Sequence, residues 1–349
     1  MPTASPAPLA GGPASAGRTR PDACPGAVDV HRAADGGLAR VRVPGGTLSA
    51  AQVDVLRAAA IELGDGVLEL TSRANLQIRG LAPGAEHELG ARLRAVGLLP
   101  SPTHERVRNI VAAPLEDNQA LVDAIDAELC ATPELASLPG RFLVTVGGAV
   151  SGLSGDIGLV GDALFLAGHD SGLRVTDPVA AVVTAARVFA GIRGDAWRLS
   201  EVDGGVPKIT AALGVPGDAR VAPAVTPVAP GAHGEVVVAG VPLGRWDARL
   251  LAGVPVRLTP WRSVVVPAGS DTSGLFTSAD SPWHGVSACT GSPGCAKSLA
   301  DVRADAARWA RSRSTSGRAH WSGCARRCGR PAGDVVEFVA TGGGYEEIR

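Results

Sequence analysis

The sequence predicts an α+β protein built around an internally repeated unit of strands and helices. Three observations predict it: the order strand–helix–strand–strand–helix over residues 41–96, a weaker echo over residues 235–267, and a proline-rich stretch at 215–232 between them. With 349 residues and 45% hydrophobic content, the chain can hold a large core in two related bodies.

The first copy reads clearly. Val41–Pro44 is a short strand ending at the Gly45-Gly46 turn. Ser49 is a helix cap, and Val53, Leu56, Ala60 and Leu63 fall on one face of the helix it opens. Gly64-Asp65-Gly66 stops that helix, Val67–Leu70 and Asn75–Arg79 are strands, and Glu86–Val96 is a second helix. That order makes most of a ferredoxin-like unit. In the echo, Val236–Gly240 is a strand, Trp246–Leu251 a short helix, and Val256–Leu258 a strand. Both copies run a strand into Leu-Thr and then an arginine: Leu70-Thr71-Ser72-Arg73 and Leu258-Thr259-Pro260-Trp261-Arg262. A long helix is expected from Pro178 to about Ile192. Pro216, Pro223, Pro227 and Pro230 mark the connector.

A net charge of -1 argues against broad electrostatic attraction to nucleic acid or anionic lipid. The basic residues are arginines except Lys208 and Lys297, and arginine forks suit carboxylates and other oxyanions where they converge. Residues 1–23 are rich in Pro, Ala, Gly and Ser without the apolar run of a signal peptide, and read as a disordered leader. No stretch is long and apolar enough for a membrane span, so a cytoplasmic protein with reduced thiols is expected.

Four of the cysteines form two pairs. Five residues separate Cys289 from Cys295, and three separate Cys324 from Cys328. An i, i+4 pair places two sulfurs on one face of a helical turn, and the Gly/Pro-containing first loop can bring two more around the other side. Structural zinc favours closer spacing than the first pair has, and a reducing compartment disfavours disulfides, which leaves a four-iron cluster as the favoured reading. Cys130 is expected to pack on a helix; Cys24 has no assigned role.

At these residues the chain resembles the nitrite/sulfite reductase superfamily, whose cluster motif is Cys-x5-Cys followed by Cys-x3-Cys. Ser322-Gly323-Cys324 through Cys328-Gly329-Arg330-Pro331 is similar to that motif's second half. Leu70-Thr71-Ser72-Arg73-Ala74-Asn75-Leu76-Gln77 resembles the family's Thr-Thr-Arg-x-x-x-Gln strand, and Arg108-Asn109-Ile110 with Pro114 its Arg-Asn-apolar loop. The resemblance implies two pseudo-twofold halves, each pairing a ferredoxin-like half-domain with a larger α/β module. Their expected bounds are 24–98 and 99–214, then, after the 215–232 linker, 233–270 and a cluster-binding module at 271–349. It also implies that Arg73, Arg108 and Arg141 line the catalytic cavity, that Arg79 and Arg262 join them in binding substrate, and that Cys289, Cys295, Cys324 and Cys328 hold a [4Fe-4S] cluster.

One departure matters. Sulfite reductases carry Leu-Pro-Arg-Lys-Phe-Lys where this chain has Leu138-Pro139-Gly140-Arg141-Phe142-Leu143, so one cation becomes an apolar residue. The shorter precorrin-3B synthases fit better, on Cys24-Pro25-Gly26, Arg40-Val41-Arg42-Val43-Pro44-Gly45-Gly46, Gly194-Asp195-Ala196-Trp197-Arg198-Leu199 and Leu258-Thr259-Pro260-Trp261-Arg262. That resemblance implies an oxygen-dependent monooxygenase of cobalamin biosynthesis. It would hydroxylate precorrin-3A at C20 with γ-lactone formation, fed electrons through the cluster by an external donor or reductase, since no nicotinamide-binding glycine motif follows a strand. A second iron centre goes with it, non-haem in this branch and siroheme in the reductases. None of the histidines is spaced as a ligand set for it, and Arg198 reads as a structural ion-pair or stacking residue. The alternatives are a siroheme nitrite or sulfite reductase, and a non-catalytic cluster protein or tetrapyrrole carrier.

Overall fold

The structure is a computed structural model that describes residue 22, residues 24–250 and residues 253–349; the expected leader, apart from Asp22, lies outside them. The first unit runs β1 (His31–Ala33), β2 (Gly36–Val41), β3 (Thr47–Leu48), α1 (Ala50–Leu63), β4 (Val67–Leu70), β5 (Leu76–Leu81) and α2 (Ala85–Ala95). Helix α1 starts where expected, closed by a capping box in which Ser49 Oγ accepts from Gln52 N and Gln52 Oε1 accepts from Ser49 N, a motif worth about 1 kcal/mol.

The second unit follows as β6 (Ile110–Ala112), α3 (Gln119–Ala131), β7 (Val144–Val146), β8 (Ile157–Val160), β9 (Ala163–Leu166), β10 (His169–Arg174), α4 (Pro178–Ile192) and α5 (Gly205–Leu213). Its sheet has the order β10-β9-β8-β7-β6, parallel from β6 to β8 and antiparallel beyond. Asp177 caps α4 through Ala180 N at 3.0 Å, and Phe189 on its buried face stacks on Phe142 at 6.0 Å.

The repeat returns as β11 (Gly231–His233), β12 (Val236–Gly240), β13 (Arg245–Asp247), β14 (Val256–Leu258) and β15 (Ser263–Pro267). The chain closes with β16 (Val286–Ala288), α6 (Val302–Arg311), β17 (Ala319–Ser322), β18 (Val336–Thr341) and β19 (Gly344–Ile348), in a sheet of that strand order. The helix expected over Trp246–Leu251 does not form. Residues 245–247 are β13, followed by one 3₁₀ turn at Ala248–Leu250, because this segment is drawn into the other half's sheet.

That exchange relates the two copies. The first sheet has the order β1-β2-β5-β4-β13 and the second β11-β12-β15-β14-β3, so each takes its fifth strand from the other half. Leu48 pairs with Val256 and Trp246 with Leu68, which makes Leu70-Thr71 the structural counterpart of Leu258-Thr259. The inner faces of both sheets share one core that includes Val41, Leu56, Leu76, Ala239, Leu258 and Val264. The 215–232 connector is mostly coil, laid along the second unit by Gly217 N–Gly172 O, Gly152 N–Ala224 O and Thr226 N–Ala149 O hydrogen bonds.

The second and last units also match. β6, β7 and β8 are parallel neighbours, as are β16, β17 and β18. Ala113 N donates to Val146 O at 2.8 Å, and Cys289 N donates to Trp321 O at 2.9 Å. Cys289 therefore stands just past β16 where Ala113 stands just past β6. The loops after these strands carry the difference between the halves.

Candidate functional site

The cysteine loops leave the ends of β16 and β17. They lie against each other: Leu299 N donates to Gly323 O at 2.8 Å, and Gly323 N donates to the Cys289 sulfur at 3.2 Å. A Cβ on Gly323 would fall 2.0 Å from Ser298 Oγ, so only glycine permits this approach of the two loops. Cys289, Cys295, Cys324 and Cys328 are all free thiols, and Cys328 is exposed. The helical turn expected across Cys324–Cys328 is absent. Arg327 N donates to Cys324 O at 3.1 Å, but Arg327 itself is left-handed at φ 49°, which breaks the turn before Cys328. Among the described residues, no group of three or more His, Cys, Asp or Glu side chains is placed to hold one metal ion.

His320 lies behind this loop, with Nδ1 2.9 Å from Ser287 Oγ and Nε2 3.2 Å from Cys328 O. Burial pushes its pKa down to about 4, so the ring is neutral and structural. His104 is likewise used within the fold, against Thr132 O and Ser101 Oγ.

Three sequence segments meet in the first half of the chain. Asn75 is 2% exposed; its Oδ1 accepts from Val43 N at 2.9 Å, and its Nδ2 donates to Asn109 Oδ1 at 3.2 Å. Asn109 donates in turn to Gly140 O at 3.1 Å. These two buried amides lock together the 71–75 turn, the 106–109 loop and the 138–141 loop. Sequence reasoning quoted both asparagines and assigned neither a role.

The five arginines singled out by sequence divide into groups. Arg73 reaches Gly140 O at 3.4 Å, and its charged neighbours are Arg40, Arg198, Asp156 and Cys24. Burial, aided by Arg198, lowers its pKa to about 10. Arg141 is exposed and places its guanidinium 4.6 Å from the centre of the Trp197 ring. Arg108 is 3% exposed and engages all three of its nitrogens: Nε and Nη2 donate to Asp126 at 2.8 and 2.6 Å, and Nη1 donates to Leu98 O at 3.0 Å.

Arg79 grips Asp35 at 2.8 and 2.9 Å and donates to Gly294 O at 3.2 Å, so it braces the loop that presents Cys295. Arg262 is not the counterpart of Arg73. The two turns superpose as Thr71 on Thr259 and Asn75 on Ser263, with Ala74 and Arg262 both left-handed, so Trp261 takes the place of Arg73. Burial lowers the Arg262 pKa, and its charged neighbours are Glu69 and Arg303. Arg303 Nη1 lies 2.7 Å from Glu69 Oε1, an ion pair that ties the last unit to the first. Arg198, as expected, forms an ion pair, 2.9 Å from Asp156.

Trp261 packs with Val111, Ala113, Leu143 and Val150 into a small apolar patch. Leu143, which replaces a cation of the sulfite reductases, is 4% exposed there. Cys24 stands beside the same loops: Asp22 accepts from Cys24 N at 3.0 Å and from Gly140 N at 2.5 Å. Burial and the Asp22 carboxylate raise the Cys24 thiol pKa. Arg40, within β2, and Arg42, just past its end, complete the group; Arg40 Nε donates to Gln77 Oε1 at 3.0 Å.

Comparison with known proteins agrees with this architecture. Residues 31–96 match the nitrite/sulfite reductase ferredoxin-like half domain. The chain is 24% identical to a precorrin-3B synthase of Sinorhizobium sp over 395 aligned positions, covering 97% of this chain and 84% of that one. It is 30% identical to a ferredoxin–nitrite reductase of Synechococcus elongatus over 176 residues, which are 46% of this chain and 34% of the reductase. A solved structure of Mycobacterium tuberculosis NirA superposes with a TM-score of 0.70 at 21% identity, covering 89% of this chain and 73% of NirA.

Proposed function

We propose, for a chain that has the nitrite/sulfite reductase fold and resembles the precorrin-3B synthases, that it is an oxygen-dependent precorrin-3B synthase. The observation that carries the reading is extent. The likeness to the Sinorhizobium synthase runs along 84% of that protein, whereas the likeness to the Synechococcus reductase spans about a third of that enzyme. The local chemistry agrees. Arg73 and Arg40 lie close enough for their charges to act on each other, and converging arginine forks suit a macrocycle fringed with carboxylates.

Four free thiols on two mutually hydrogen-bonded loops fit a [4Fe-4S] cluster on Cys289, Cys295, Cys324 and Cys328. A cubane spreads its thiolates over its own corners, so it does not require the tight convergence that one ion needs. Such a cluster would supply single electrons from an external donor. Arg79 and Gly323 hold the loops that would present it. The Asn75–Asn109 lock fixes the loop carrying Arg141, whose guanidinium is steadied on Trp197 to meet a substrate carboxylate. In the overall reaction dioxygen gives one oxygen atom to precorrin-3A; the other leaves as water, taking two electrons and two protons from the donor side.

The test is incubation of reconstituted protein with precorrin-3A and a chemical reductant, with and without dioxygen. A product heavier by one oxygen atom, formed only with dioxygen, supports the reading; the same product without dioxygen removes it. The nitrite reductase relatives favour a second reading, a siroheme reductase, which turnover of nitrite or sulfite by a siroheme-containing preparation would establish.

A further inference from the structure

One charged group in this region has no partner. Arg42 is 2% exposed, and among the described residues none of its three guanidinium nitrogens has a hydrogen-bond partner. The other buried arginines nearby are satisfied: Arg108 by Asp126 and Leu98 O, Arg79 by Asp35 and Gly294 O. A buried cation left unpaired is costly, and folded chains keep one chiefly where an anion arrives to complete it.

Its surroundings point to the anion. The charged or titratable groups that act most on it are Arg40, Cys24, Arg73 and Glu105. Glu105 is already occupied, accepting from the backbone N–H groups of Ala27, Val28 and Asp29. Asp22 is similarly held by Cys24 N and Gly140 N. Burial, with Arg40 and Arg73 beside it, pushes the Arg42 pKa down to about 9, as expected of a cation crowded by cations. In the repeat the same strand position is Gly240, where a Cβ would meet the Phe276 ring at 2.0 Å. The second half closes this place with an aromatic ring, and the first half puts a guanidinium there.

We propose that Arg42 is the fixed receptor for one carboxylate of a polyanionic macrocycle, at a subsite it shares with Arg73 and the thiol of Cys24. The proposal rests on the macrocycle reading above for the source of the carboxylate; a small free oxyanion has the same chemistry. The planar fork of Arg42 offers two parallel N–H donors to a carboxylate.

The probe is uroporphyrin III, a stable macrocycle rimmed with acetates and propionates, titrated by fluorescence into the full-length protein, with its methyl ester and with sulfite as parallel arms. Arg42→Gln should weaken uroporphyrin binding about ten- to hundredfold, the value of a charge-assisted hydrogen-bonded contact, and Arg42→Lys should fall between. The ester should bind weakly and without regard to residue 42. A second measurement separates this role from a structural one: Arg42→Met should melt about 2 °C or more above the parent when no ligand is present, because an unpaired buried charge has been removed. Unchanged uroporphyrin binding by Arg42→Gln, or a melting temperature lowered by Arg42→Met, overturns the proposal. So does Arg42-dependent binding of sulfite without binding of uroporphyrin. Absence of dioxygen-dependent turnover alongside Arg42-dependent uroporphyrin binding would remove the reaction proposed above and sustain this subsite.

Discussion

Arg108 offers the sharpest contrast between a motif and its setting. The family resemblance puts it in the catalytic cavity, yet the fold ties it to Asp126 through two bonds and to Leu98 O through a third. Replacing it by Met removes all three and leaves the Asp126 carboxylate, whose side chain is 14% exposed, without its cation. Breaking a buried ion pair costs about 3–5 kcal/mol, and the residual exposure of Asp126 places this case near 3 kcal/mol. Urea denaturation of Arg108→Met should therefore show a lower midpoint at unchanged slope. Asp126→Asn should lose a similar amount, because it strands the guanidinium instead. The double variant Arg108→Met/Asp126→Leu should recover most of the loss and be more stable than either Arg108→Met or Asp126→Leu alone. Were Arg108→Met to cost less than about 0.5 kcal/mol while abolishing uroporphyrin binding, the structural role read from the ion pair would be refuted.

Other consequences follow from the same region. Leu143→Lys, which restores the cation found in sulfite reductases, buries an ammonium among Val111, Ala113, Val150 and Trp261. It should destabilise by on the order of 4 kcal/mol, read by denaturant midpoint, and a variant as stable as the parent would show that this patch opens to water. Cys24 has a thiol pKa raised by burial and by Asp22, so its thiolate is scarce near neutrality. Folding favours the protonated thiol, so its contribution to stability is full below the ordinary thiol pKa and declines as pH rises through the raised one. Alkylation of Cys24 by iodoacetamide, followed by peptide mass spectrometry, should stay slow near neutrality and accelerate only in the alkaline range above that of an ordinary thiol; rapid labelling at neutral pH would contradict the burial and hydrogen bonding described.

What could be read in the sequence was local. The Ser49 cap, the helix start at Pro178 and the Leu-Thr entry to each turn act within a few residues, and the structure keeps all of them. The spacing of the cysteines was equally plain, because both pairs lie in short loops. Tertiary partners were not visible. Nothing around Arg108 announces Asp126 eighteen residues on, and nothing around Arg79 announces Gly294. The helix expected at Trp246–Leu251 gave way to β13 because a strand of the other half was available to pair with it. Likewise, matching arginines by eye set Arg262 against Arg73, whereas the shared hydrogen bonds of the two turns set Trp261 there. Arg42 was quoted only as part of a motif, since being unpaired is a property of the folded interior and leaves no trace in sequence.

The most direct test is anaerobic purification followed by iron and sulfide analysis and an absorption spectrum, on the parent and on Cys324→Ala. The account predicts at least four irons per chain with matching sulfide and no siroheme band in the parent, and loss of the cluster iron in the variant. Zinc in place of iron, a haem-like band, or iron content indifferent to Cys324 would contradict it.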